Sequence, residues 1–272
     1  MSAVALTGAR ARYISAYVAL REKEGRGAGG PKELFDLPYL TAGPLAPQWK
    51  IRCRTFDRFV AVVLRPLERH AGRPLRVLDL GAGNGWLAGR MALRGHVAVA
   101  LDFRCDGVDG LAAGAAYVKR LPRMFGRVAA SFEELPFSLR AFDIALFNAS
   151  LHYAENLSRA LGEAARAVVS GGRVVILDSP FYRHAASGEE MVEEKRRATR
   201  HSFGDLAEDL LAMASIEYLT GERLHEAARP LGLAFRRHRV LYPLAYEWRG
   251  VRARFTGARE PSRFDLWEAR VP

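Results

Sequence analysis

The chain is expected to fold as a doubly wound α/β protein around a mostly parallel, seven-stranded sheet. An N-terminal arm precedes the core, and an insertion follows the fifth strand. Three observations predict this. Short apolar runs alternate with amphipathic helical stretches from about residue 55 onward, the pattern of a sheet covered on both faces. A glycine-rich turn, Gly81-Ala82-Gly83-Asn84-Gly85, directly follows the first of those runs. The 272 residues suffice for one large domain, and 49% hydrophobic with 26% charged residues is a globular balance.

Residues 1–54 carry a short helical pattern, a loop-forming break over 25–31 and an irregular stretch with Tyr39, Trp49 and Arg52. They read as an arm, with the core domain spanning 55–272. Over 55–70, Phe56, Phe59, Val60, Val63, Leu64 and Leu67 recur at helical spacing, and Pro66 is expected to kink or shorten that helix. Strands follow over 76–80 and 96–102, with a helix over 86–93 between them. Residues 106–120 read as helix and 127–131 as a weak third strand. The fourth strand is 142–148, a helix covers 155–169, and the fifth strand is 173–178. The insertion, 179–219, has no strand signal; 189–200 and 206–213 are its helix candidates. Thr220 is placed to cap a further helix, and strands are expected within 230–240 and 264–271.

The formal net charge is +11, and only Lys23, Lys32, Lys50, Lys119 and Lys195 are lysines, so arginine supplies nearly all of it. The arginines are scattered, which makes a nucleic-acid partner the less favoured alternative. No stretch approaches the ~20 apolar residues of a membrane span, and no membrane partner is expected. Residues 1–12 lack the basic-then-apolar order of a secretory signal, so a cytoplasmic location is expected. Cys53 and Cys105 read as reduced thiols, and no His or carboxylate pair has metal-ligand spacing, so no metal is expected. Oligomeric state is not legible.

The strongest signal lies over 77–85, Val-Leu-Asp-Leu-Gly-Ala-Gly-Asn-Gly. An apolar strand runs into three alternate glycines and then a helix. Glycine permits backbone angles closed to other residues and a close approach to a ligand. The helix start offers free N–H groups. Asp102 ends the next strand, seventeen residues after Gly85, where an acid can accept hydrogen bonds from ribose hydroxyls. The third glycine comes one residue early for the dinucleotide G-x-G-x-x-G. Asp79, inside the strand end, is an acid whose burial needs a reason.

These segments, in this order, resemble the class I S-adenosylmethionine-dependent methyltransferases, in their broad small-molecule group. Residues 77–85 resemble the family's first motif, and Leu101-Asp102 its acidic second motif. Ser131-Phe132-Glu133-Glu134-Leu135-Pro136-Phe137 resembles the segment D-A-E-x-L-P-F, and 142–148 the fourth-strand motif. Residues 160–176 resemble the helix, Gly-Gly turn and strand that follow. The resemblance covers about 55–240 and implies a Rossmann-like methyltransferase fold with S-adenosylmethionine as cofactor. It implies that Asp79, Gly81 and Gly83 contact the methionine part, while Asn84 and Gly85 shape the loop. Asp102 would hold the ribose hydroxyls, Phe103 would lie against adenine, and Asn148 would line the junction with the acceptor. Ser131 departs from the acid that usually faces the adenine amino group; Phe132 follows it. Asn148-Ala149-Ser150-Leu151 lacks the Pro-Pro-Tyr sequence that handles exocyclic amines of nucleic-acid bases, which argues against base N-methylation.

Methyl transfer from a sulfonium is an in-line displacement, so the protein mainly positions the acceptor. A general base is needed only for a protonated nucleophile, and His152, just past the fourth strand, is the candidate. Tyr182, with Asp178 and His184, is a candidate substrate wall after the fifth strand. Tyr39, Trp49 and Arg52 are candidate lid residues. The expected activity is methyl transfer to a small-molecule acceptor. An RNA or protein acceptor, or cofactor binding without turnover, is the alternative.

Overall fold

The computed structural model describes residues 8–272. The first seven of residues 1–12, on which the reading of the N-terminus rests, lie outside the described residues. The arm is three helices, α1 (Gly8–Lys23), α2 (Gly30–Asp36) and α3 (Ala46–Phe59). The expected irregular stretch is thus largely helical. Pro31 and Pro47 sit in the first turns of α2 and α3, where the missing N–H would have had no partner. The α3 helix also runs through the expected boundary between 54 and 55. It continues as a π-helical turn (Val60–Leu64) into α4 (Arg65–Ala71). Pro66 therefore does not break the helix. Arg65 N–H donates to the Val60 carbonyl five residues back, and this wider turn accommodates the bond that proline cannot donate.

The core follows as β1 (Arg76–Leu80), α5 (Trp86–Leu93), β2 (Val97–Asp102), β3 (Gly126–Ala129), β4 (Phe142–Asn148), α6 (Leu157–Ala167) and β5 (Val168–Leu177). The insertion contributes β6 (Phe181–Tyr182), α7 (Ala185–Phe203), α8 (Leu206–Leu211) and β7 (Leu219–Thr220). The chain ends with α9 (Gly221–Ala228), β8 (Arg236–His238), α10 (Leu244–Thr256) and β9 (Leu266–Arg270). Seven strands form one sheet in the order β3-β2-β1-β4-β5-β9-β8, and β9 alone runs against its neighbours.

Side chains on each central strand alternate between two cores. Ala145 and Phe147 of β4 face the core built with α6 and α9. Ile144 and Leu146 face the core built with α3, the π turn and α5. The α6 helix presents Leu157, Ala160, Leu161 and Ala164 to the sheet, and its Asn156 side chain accepts the Arg159 N–H at 3.0 Å. Thr220 caps α9 in the same way, at 3.1 Å from Arg223 N.

The later part of the chain also departs from expectation. The segment 106–120 is turns and a 3-10 stretch (Ala113–Lys119) instead of an α-helix. Asp106 Oδ1 accepts N–H bonds from Val108, Asp109 and Gly110 at 3.1, 2.8 and 3.0 Å, a local alternative to helical bonding. The insertion does contain strands, since β6 and β7 pair in parallel as a separate two-stranded sheet. The α10 helix has no counterpart in the sequence pattern. Arm and insertion also touch. Arg12 pairs with Asp209 at 3.2 Å, Lys23 donates to the Ser202 carbonyl at 3.2 Å, and its ammonium lies 4.5 Å from the Phe203 ring centre. No described helix is long and apolar enough to cross a membrane.

Candidate cofactor and acceptor site

Register sets the site. Leu80 stands opposite Leu101 on one side and Phe147 on the other. The next residues, Gly81, Asp102 and Asn148, therefore emerge side by side where the strand order reverses between β1 and β4. Such a reversal opens a crevice at the strand ends. Gly81 has φ +71°, and a side chain there would collide with Ser150 Cβ. Gly83, at φ +53°, donates its N–H to Asp102 Oδ2 at 2.8 Å. The other oxygen of Asp102 accepts the Arg104 N–H at 2.8 Å. Burial raises the Asp102 pKa, and Arg104 opposes the shift. Asn84 joins loop and helix: its Oδ1 accepts the Trp86 N–H at 3.1 Å, and its Nδ2 donates to Asp109 at 2.8 Å.

Asp79 lies beneath this loop, 1% exposed. Its Oδ2 accepts the Ala88 N–H at 3.2 Å, and its Oδ1 has no partner. Burial pushes its pKa up to about 8. An unpaired buried carboxyl is costly. Asp79 is not itself among the residues that line the crevice; its free oxygen would suit a cation brought up to the loop, as the ammonium of a methionine moiety is. Asn148 Oδ1 is likewise buried and unpaired. With Asp102 at the end of β2 beside the loop, this set of acceptor oxygens fits S-adenosylmethionine, with its ribose hydroxyls and its ammonium.

Phe103, Phe132 and Asn148 line the crevice. Ser131 does not: its hydroxyl accepts the Glu133 N–H at 3.1 Å in a local turn. The α1 helix closes the crevice from above with Tyr13, Tyr17 and Arg21. Tyr13 lies 6.5 Å from Phe103, ring centre to ring centre. The hydroxyls of Tyr17 and Tyr153 are 3.2 Å apart, and Arg21 reaches within 3.8 Å of Asp109. The sequence reading missed these arm residues. Their signal was the spacing of four between Tyr13, Tyr17 and Arg21, which puts all three on one helical face.

A second cavity shares Tyr153 and Arg52 with the crevice and is walled further by His152, Asp178, Tyr182, Tyr246 and Phe264. Trp49 is buried and packs edge-on to Trp86 at 5.3 Å. Arg52 lies over Trp49, 4.9 Å from its ring centre, and approaches Asp178 to 3.9 Å. Among the described residues Arg52 makes no closer polar contact, so its donors remain available to a ligand. Asp178 has φ +50° and one oxygen without a partner. Burial raises its pKa to about 6 against the pull of Arg52. His152 Nδ1 is buried and unpaired. Burial, with Lys195, Arg52 and Arg21 nearby, depresses its pKa to about 3, so the ring is neutral. Tyr182 Oη accepts from Arg259 at 3.1 Å.

Tyr39 belongs to neither cavity. It is 47% exposed and donates to Asp57 at 2.7 Å on the outer side of α3, whereas Trp49 and Arg52 line the crevice. His184, exposed at the start of α7, is also outside. Gly85, at φ +75°, serves packing: a side chain there would stand 2.9 Å from the Phe125 ring. Cys53 and Cys105 are free thiols. Among the described residues no three His, Cys, Asp or Glu side chains could hold a metal ion.

Comparison with known proteins bears on the fold and on the central segment. Residues 78–176 match the family model described as a methyltransferase domain. Over 104 residues the chain is 33% identical to malonyl-[acyl-carrier protein] O-methyltransferase of Erwinia pyrifoliae, covering 38% of this chain and 37% of that protein. The match thus spans about a third of the curated relative's length. Two solved structures share the fold. One is from the complex between the Haloferax volcanii Trm112 methyltransferase activator and the putative methyltransferase, with a TM-score of 0.57, 17% identity and 96% coverage of both chains. The other is a putative methyltransferase from Bacillus halodurans, with a TM-score of 0.50, 16% identity, and 77% of this chain against 99% of that one.

Proposed function

We propose that this chain, which carries a class I S-adenosylmethionine-dependent methyltransferase domain, transfers a methyl group from that cofactor to a small-molecule acceptor held in the second cavity. The carrying observation is the shared wall. Arg52, Ala149 and Tyr153 border both the cofactor crevice and the aromatic cavity, so a donor in one faces an acceptor in the other.

When bound, S-adenosylmethionine supplies a methyl group on a positively charged sulfur. Everything else is positioning. Asp102 would hold the ribose hydroxyls, and Asp79 would offer its unpaired oxygen to the methionine ammonium. Phe103 and Phe132 would lie beside the base, while Tyr13 and Tyr17 would exclude water. Arg52 offers its guanidinium to an acidic group on the acceptor. The curated relative, by its name, acts on malonyl-[acyl-carrier protein]. His152 is neutral with a free Nδ1 that can accept a hydrogen bond from a hydroxyl or ammonium nucleophile, and its pKa of about 3 makes it a weak base there. The free thiols suit a reducing compartment, and we place the protein in the cytoplasm.

Calorimetric titration with S-adenosylmethionine and S-adenosylhomocysteine tests the cofactor. Wild-type protein is expected to bind both, and Asp102→Ala to lose at least ~tenfold in affinity, the worth of charge-assisted hydrogen bonds. Failure of wild-type protein to bind either would overturn the reading. Screening acceptors with wild-type and His152→Gln protein then separates the base from the binding residues.

A further inference from the structure

The outer face of α10 is apolar, and no described residue covers it. Leu244, Trp248, Val251 and Phe255 are 77, 61, 40 and 87% exposed, and Leu241 just before the helix is 73% exposed. Steps of four, three and four residues align the four helical side chains in one stripe. The opposite face is the packed one: Ala253 is buried, and Tyr246 packs against Tyr242, ring centres 4.7 Å apart and inclined by 50°. Isolated exposed apolar residues need no explanation, but an aligned stripe of large ones does.

Charge identifies the occupant. At 100° per residue, Arg252 and Arg254 flank the stripe on opposite sides, and neither forms an ion pair among the described residues. The acid on the helix, Glu247, is held by Arg263 at 2.7 Å and Arg239 at 3.7 Å. Arg249 is turned back onto Tyr246, 3.6 Å from its ring centre. We propose that α10 seats the protein on an anionic lipid surface, lying in the interface plane with its stripe among the acyl chains and Arg252 and Arg254 at the headgroups. An apolar face rimmed by arginine is the composition of an interfacial helix. Trp248 is the residue type that prefers the headgroup level. The 13 residues of α10 span about 20 Å, too short to cross a bilayer. The net charge of +11 adds long-range attraction to an anionic leaflet. A second copy fits less well, because a two-fold contact through this stripe would bring the flanking arginines of both copies together.

Trp248 is also the reporter. The other tryptophans, Trp49, Trp86 and Trp267, are 1, 5 and 7% exposed. Vesicles of phosphatidylcholine with phosphatidylglycerol are expected to sediment the protein and shift its fluorescence to the blue. Pure phosphatidylcholine vesicles should do so far less, and added salt should weaken the binding. The double variant Trp248→Ser/Phe255→Ser should lose at least ~tenfold in partitioning, since it removes two of the large apolar side chains of the stripe. Its melting temperature and S-adenosylhomocysteine binding should be unchanged, because neither residue touches the core or the crevice. Three results would overturn the proposal: no binding to the anionic vesicles, equal binding to neutral ones, or undiminished binding of the double variant. Sedimentation equilibrium showing a dimer that the double variant dissolves would assign the face to a second copy instead.

Discussion

Asp79 and His152 are both buried and both lack a partner on one atom, yet burial shifts them in opposite directions. The Asp79 value of about 8 stands above the ordinary 3.8, so the folded protein holds a proton that the unfolded chain releases. That contribution to stability is present at low pH and is lost as the pH rises through about 8. Asp79→Asn, which cannot ionise, should therefore hold its melting temperature better than wild type on the alkaline side, while binding S-adenosylmethionine at least ~tenfold more weakly. Thermal melts against pH, paired with calorimetry, check both halves. For His152, the folded value of about 3 lies below the ordinary 6.5. Its contribution is complete above about 6.5 and is lost as the pH falls toward 3. His152→Gln should flatten the acid limb of the same melting profile. At this scale the contiguous motif was the readable part. Asp79, Gly81, Gly83 and Asp102 follow from a strand, a loop and a register. Ser131 and Tyr39 were misplaced because a serine hydroxyl can satisfy its own turn and an aromatic can pack outward, choices that spacing does not record.

The loop after β1 shows how an element carries the site. Gly85 combines φ +75° with a ring 2.9 Å from its missing Cβ. Gly85→Ala should destabilise the protein by about 1–3 kcal/mol through backbone strain and crowding. Cofactor affinity measured below the melting transition should change less, since Gly85 lines no cavity. Chemical denaturation with parallel titration separates the two effects. Central strands and covering helices were legible because alternation and helical periodicity act over whole segments. The 106–120 segment was not. Its periodicity is helical, but the Asp106 side chain captures three backbone N–H groups and holds a turn. The strands β6 and β7 are two residues long, below any periodic signal. The π turn before Pro66 is also a local adjustment, which hydrophobic spacing cannot distinguish from a plain kink.

At the scale of the molecule, the sheet supplies the floor of the site, while the arm and the insertion supply its roof. Which arm face points inward depends on packing against residues a hundred or more positions away, such as Tyr153 against Tyr17. That is why Tyr13, Tyr17 and Arg21 were missed although the arm was expected to close over the site. The α1 helix is joined to the rest of the arm by the glycine turns at Gly25 and Gly27. Bound S-adenosylhomocysteine should slow proteolytic cleavage over 24–29 several-fold, because a ligand that binds only the closed form disfavours local opening. Cleavage followed by mass spectrometry checks this. Equal cleavage with and without ligand would show that α1 stays seated regardless.

The contact between α1 and the α7–α8 region has a kinetic consequence. Arg12 with Asp209, and Lys23 with Ser202 and Phe203, fasten the roof of the cofactor crevice to the insertion that walls the acceptor cavity. We propose that lifting one side pulls on the other, so that donor and acceptor sites share one gate. Release of the spent cofactor should then proceed as a single exponential event that also frees the methylated product. Loosening the fastening by Asp209→Ala should quicken turnover wherever release, and not the transfer itself, sets the pace.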